Sequence, residues 1–165
     1  MASSIDGDLY VAGALTARRF NPPAGSITDA SVIAGAGLAA SKVEGNHVVT
    51  AALSNHATVI AAGRQYLHYV SGTTGDVITF GVLASVAAVG DSTATFDLYK
   101  NGSSILTGTF NLDSGDAAGT LVTGTVSSAG LVATDKLEVV VTVSAGTGTL
   151  PKGVAAFLKV WENPQ

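Results

Sequence analysis

Few side chains in this sequence could do chemistry, and their spacing argues against most reactions. His47, His56 and His68 show no metal-ligand spacing, and a chain without cysteine has neither disulfides nor thiolate sites. Asp76, Asp91, Asp113, Asp116 and Asp135 stand at expected strand ends, where carboxylates accept turn hydrogen bonds rather than pair as acid and base. Asp113 and Asp116 fall short of the roughly six to eight oxygens of a Ca²⁺ site. Gly35-Ala36-Gly37-Leu38-Ala39-Ala40 approaches the dinucleotide fingerprint. That chemistry needs a long following helix and an acidic residue about 20 positions on. The run instead meets Glu44-Gly45-Asn46, and the residues near Asn55 are not acidic. Val126-Ser127-Ser128-Ala129-Gly130 has valine where a nucleophile elbow needs glycine. Tyr66, Tyr69, Tyr99 and Trp161 could stack on a sugar ring or serve as packing and interface anchors. The expectation is a protein that is not an enzyme, with no catalytic, cofactor or metal site. In a homotrimer, however, one histidine on the axis would become three ligands.

Composition narrows the partners. Among 165 residues, 47% are hydrophobic and only 12% charged, where an ordinary soluble domain carries about a quarter. The apolar residues are mostly Ala and Val interleaved with Gly, Thr and Ser. No run reaches the roughly 18 apolar residues of a spanning helix, despite a mean hydropathy of +0.42. A charge-poor chain of this kind fits a subunit that hides much of its surface in an assembly. Formal charge is −4, and the only adjacent basic pair is Arg18-Arg19, so neither nucleic acid nor membrane is expected as a partner. MASSIDGDLYV has no basic or apolar leader pattern, and synthesis in a cytoplasm is expected.

The elements that must position these residues read as three parts. Residues 1–46 form an extended arm: Leu9, Val11, Leu15 and Ala17 alternate, Pro22-Pro23-Ala24-Gly25 breaks the chain, and Thr28 or Asp29 can cap a short helix over Ala30 to Ala34. Such an arm must bury its faces against copies of itself or another protein. Residues 47–63 read as a connector or first strand, and 64–165 as a β-domain. Gln65 to Ser71, Val77 to Val89, Thr93 to Lys100, Ser103 to Leu112, Thr120 to Ser128, Lys136 to Ala145 and Gly153 to Glu162 are the expected strands, with Leu131 to Asp135 a short connection. Asn101-Gly102-Ser103 spells a glycosylation sequon, but Asn101-Gly102 between alternating runs also demands a type I′ hairpin turn. The expected fold is all-β: a jelly-roll-like antiparallel β-sandwich with an extended N-terminal arm of short strands and a short helix.

The arm sequence Gly7-Asp8-Leu9-Tyr10-Val11-Ala12-Gly13-Ala14-Leu15-Thr16-Ala17, then Phe20-Asn21-Pro22-Pro23-Ala24-Gly25-Ser26-Ile27-Thr28-Asp29-Ala30 and Ala39-Ala40-Ser41-Lys42-Val43, resembles the N-terminal part of tailed-bacteriophage capsid decoration (cement) and head-fibre proteins. Asp97-Leu98-Tyr99-Lys100-Asn101-Gly102 and Leu137-Glu138-Val139-Val140-Val141 are similar to their β-sandwich heads. The resemblance implies a homotrimer on the outside of a phage head, bound to the major capsid protein and stabilising the shell. In that setting Leu9, Val11, Leu15, Phe20 and Ile33 would bury arm surface, and Arg18 and Arg19 would bond acidic groups on the shell. Related patterns occur in tail-fibre and other virion appendages, so the alternative is a β-head that binds a host-surface glycan.

Overall fold

Strict alternation gives each long strand one apolar face, and two such faces must cover each other. The computed structural model describes residues 45–163, and every regular element in them is a strand. In chain order these are β1 (Gly45–Ala52), β2 (Gly63–Tyr69), β3 (Thr74–Val86), β4 (Thr93–Lys100), β5 (Ser103–Ser104), β6 (Phe110–Leu112), β7 (Val122–Gly124), β8 (Gly130–Val132), β9 (Lys136–Ser144) and β10 (Lys152–Glu162). They form two antiparallel five-stranded sheets. One runs β1-β10-β3-β7 with β8 also on β3; the other runs β2-β9-β4-β5 with β6 also on β4. Residues 1–44, for which short strands and a short helix are expected, lie outside the described residues.

The core is the sum of the inward rows. Val77, Phe80, Val82 and Ala84 of β3 and Val154, Ala156, Leu158 and Val160 of β10 come from one sheet. Ala94, Phe96 and Leu98 of β4 and Leu137, Val139 and Val141 of β9 come from the other. Phe110 joins the two, its ring 5.7 Å from Phe80 edge-on and 5.8 Å from Phe96. The hairpin turn forms where Asn101-Gly102 requires it: both have positive φ, 51° and 87°, and Lys100 pairs with Ser103.

Four expectations are corrected. Ser103 to Leu112 is not one returning strand. It pairs with β4 at Ser103 and Ser104, departs, and returns at Phe110. Between, Leu106 bridges Val126, and Thr107 N donates to Thr125 O. Ile105 and Leu106 are adjacent and both buried, which a strand with only one covered face does not allow. The Thr120 to Ser128 strand shortens to β7, because its later residues serve this crossing segment. Leu131 to Asp135 begins inside a strand, since β8 pairs with Thr74–Asp76 and buries Leu131. Asp76 accordingly sits within β3, opposite Gly130 and Trp161, and not at a strand end.

Phe96 is fully enclosed and Thr95 beside it faces outward. Phe96→Ala is expected to lower unfolding free energy by about 3–5 kcal/mol, and Thr95→Ala by no more than about 0.5 kcal/mol, read from urea denaturation midpoints.

Candidate ligand face and its anchor

The inward row of β10 continues Val154, Ala156, Leu158, Val160 and then Glu162, which places a carboxylate where the period puts an apolar side chain. Glu162 is 2% exposed. Its Oε1 meets His68 Nε2 of β2, and its Oε2 accepts from Gly72 N at 2.7 Å and Ser71 N at 3.1 Å. Gly72 is required for that approach: a Cβ there would stand 2.5 Å from the Asn163 carbonyl and 3.0 Å from the carboxylate. Burial pushes the Glu162 carboxyl up. The bond from His68, the Gly72 amide, the charge of His68 and the Ser71 amide together outweigh it and hold the carboxyl below its usual range. His47 of β1 lies beside this pair, its ring centroid 6.0 Å from that of His68.

Turning His68 toward Glu162 breaks the alternation of β2. Tyr66 pairs with Glu138 and His68 with Leu137, so Leu67 is an extra residue, a β-bulge. Leu67 packs against the core, and Tyr69, opposite Lys136, comes out on the same face as Tyr66. Without the bulge, residues three apart would point to opposite faces. Tyr66 is 67% exposed and Tyr69 54%.

Tyr66, Glu138 and Tyr99 lie in register across β2, β9 and β4. Arg64 places its guanidinium 5.1 Å from the Tyr99 ring centre and 3.3 Å from Glu138 Oε2. Beyond them Asn101 Nδ2 donates to Asp135 Oδ1 at 2.6 Å, and Asn101 Oδ1 accepts from Lys136 N at 3.0 Å. The amide nitrogen of the sequon is thus engaged in tying two turns together. Asp135 Oδ2 accepts from Val132 N at 2.9 Å, which holds Thr134 at a φ of 74°, a left-handed conformation costly for a β-branched residue. Two open grooves take part of their lining from this face. One of about 370 Å³ is lined by Tyr66, Leu67, His68, Tyr69 and Lys136. The other, of about 600 Å³, runs between Arg64, Tyr66, Asn101, Thr134, Lys136 and Glu138.

Of the four aromatics read as sugar platforms or anchors, Tyr66, Tyr69 and Tyr99 therefore share one face. Trp161 belongs to the other sheet, half-buried opposite Asp76 and Asn46. Asp91 accepts from Thr147 N and Oγ1, and these bonds lower its carboxyl. Asp113 accepts from Gly115 N, and Asp116 from Asp113 N. Among the described residues no three metal-capable side chains cluster.

Sequence reasoning missed Glu162, although carrying the β10 alternation one step further finds it. It also missed the pairing of His56 with Ser85, where His56 Nδ1 lies 2.8 Å from Ser85 Oγ. The Ser85 Oγ also lies 3.2 Å from Lys152 O, a second acceptor that competes for its one proton. Leu9, Val11, Leu15, Arg18, Arg19, Phe20 and Ile33 lie outside the described residues. The sequence matches no protein-family model and no curated protein.

Two measurements test the anchor. A carboxyl lowered in the native state stabilises fully above its unfolded value, near 4.5, and the stabilisation disappears as pH falls through the native value. The wild-type melting temperature should therefore drop on acidification below pH 4.5, and Glu162→Gln should lose part of that slope. At neutral pH Glu162→Ala, which strands the two amides and His68, is expected to cost about 3 kcal/mol. Thr134→Gly removes the left-handed strain and should raise stability by about 1 kcal/mol, measured by the same melts.

Proposed function

We propose that this chain is a structural virion protein: a homotrimeric capsid decoration, or cement, protein that binds the outside of a phage head through residues 1–46 and stabilises it. In this reading the β-domain is a jelly roll. The strand order carries the proposal. Strands β1 to β4 alternate between the sheets, and β9 and β10 insert between them to give β1-β10-β3-β7 over β2-β9-β4-β5. We read that order as two interleaved Greek keys, an architecture used by viral capsid and lectin domains, and it is what supports the reading.

The surface adds support. Val48, Ile78, Val89, Leu121 and Val132 are all exposed in a chain with few charges, which fits a subunit that covers apolar area on assembly. The mechanism is mechanical. A protein that binds only the assembled shell stabilises that state by linkage, and many copies each contributing a few kcal/mol oppose rupture by the packaged genome. A second reading, a tail-fibre or other virion appendage whose β-head binds a host-surface glycan, draws its support from the shared tyrosine face.

Light scattering on the purified full chain should give a mass near three times 16.4 kDa. Deleting residues 1–44, which leaves β1 whole, should abolish attachment to bare capsids of the cognate phage while the β-domain still melts cooperatively. A truncated chain that coats capsids to native occupancy would overturn the proposal.

A further inference from the structure

We propose that the outer face of the β2-β9-β4 sheet binds a saccharide carrying a carboxylate, with sugar rings laid on Tyr66 and Tyr69 and the carboxylate held by Lys136. The inference deepens the appendage reading and needs nothing from the capsid reading.

Four observations converge on this face. First, the bulge at Leu67 brings two tyrosines to one side where regular pleating would separate them, and both remain more than half exposed. Bulges that re-aim side chains are typical beside binding sites, and a tyrosine offers an apolar ring face with a polar tip, the match for a pyranose. Second, the two grooves of about 370 and 600 Å³ share Tyr66 and Lys136 in their linings, so they adjoin there. Their sizes fall in the usual range of ligand sites, and together they give a chain of sugars a track across β2 and β9.

Third, the charges on the face are unequally committed. The Arg64 guanidinium is taken by Glu138 and the Tyr99 ring. Asp135 is buried and bonded to Asn101 and Val132 N. The Lys136 ammonium, lining both grooves, has no partner among the described residues. An anionic group is what such a site lacks. A nucleic acid is disfavoured by a chain of net charge −4, whereas a single carboxylate needs only one cation and the adjacent hydrogen-bonding groups. Fourth, Thr134 stands on the rim of the larger groove at a φ of 74°. A β-branched residue keeps such a conformation only where its surroundings enforce it, and these positions concentrate at ligand sites. Its hydroxyl, with the Glu138 carboxylate, supplies bonding partners for sugar hydroxyls.

The test uses the full-length chain on an array of glycans bearing uronic or sialic acids, each beside its carboxyl-reduced counterpart. Retention of acidic members, with at least about tenfold weaker binding of the reduced ones, is the expected result. Tyr66→Ala and Lys136→Met should each weaken binding by about tenfold or more. Lys136→Arg should retain it, and Trp161→Phe should leave it unchanged. The Tyr66 and Lys136 variants should keep the wild-type melting profile, since both side chains are exposed. Equal retention of reduced and acidic glycans would overturn the ligand class. Binding untouched by Tyr66→Ala and Lys136→Met would overturn the site. A chain that coats capsids but retains no glycan would overturn this inference and leave the capsid reading standing.

Discussion

The Glu162 carboxylate is the contact on which the described structure most depends. A buried anion is costly unless donors surround it. Here the donors come from the other sheet and the turn that leaves it: His68 on β2, then the Ser71 and Gly72 amides. The bond therefore clamps the end of β10 to the end of β2. Because β2 pairs only with β9 among the described residues, this clamp decides how β2 sits over the core. It also makes His68 face inward, which forces Leu67 to bulge, which in turn sends Tyr66 and Tyr69 out together. An apolar residue at 162 could fill the space, but it would give His68 no reason to turn.

The long strands were legible because period-2 alternation needs several residues to declare itself. Thr93 to Lys100 and Lys136 to Ser144 bury the residues that their alternation selects, and Asn101-Gly102 turns where positive φ is demanded. The failures have physical causes. β8 has a single inward residue, Leu131, and one residue has no period. Ile105 and Leu106 lie side by side in the sequence, and that doublet was the one sign that the chain leaves β4 there to pair with 125–127.

The ligand face was legible in its residue types and illegible in its geometry. Tyr66 and Tyr69 announce themselves as large amphipathic side chains, but simple alternation sets them on opposite sides. Only the distant Glu162, ninety-four positions beyond His68, resolves the conflict. A long-range bond of this kind leaves no local trace in β2. Its trace lies in β10, where the row of Val154, Ala156, Leu158 and Val160 ends in an acid. A carboxylate in phase with a core row must find donors across the sandwich, and the histidine at 68 is one of the few side chains able to supply them.

The two outer surfaces of the sandwich differ in chemistry, and that difference bears on assembly and binding together. On the β1-β10-β3 side Val48, Ile78 and nearby Leu121 are exposed aliphatic groups, with exposed Lys159 opposite Val48 and exposed Asp76 on β3 among them. The β2-β9-β4 side presents tyrosines, Arg64, Glu138 and Lys136, groups that interact well with water and with polyhydroxy ligands alike. If copies of this chain associate as proposed, covering the first side gains apolar burial at Val48, Ile78 and Leu121 and needs partners for Lys159 and Asp76, whereas covering the second would also bury Lys136 and the Arg64–Glu138 pair. Association through the aliphatic side would leave the tyrosines outward on every subunit. Several copies would then present weak sites together, and avidity would raise the effective affinity for a repeating saccharide without any new contact. The proposed structural and binding roles would then use opposite sheets of one sandwich and would not compete for the same surface.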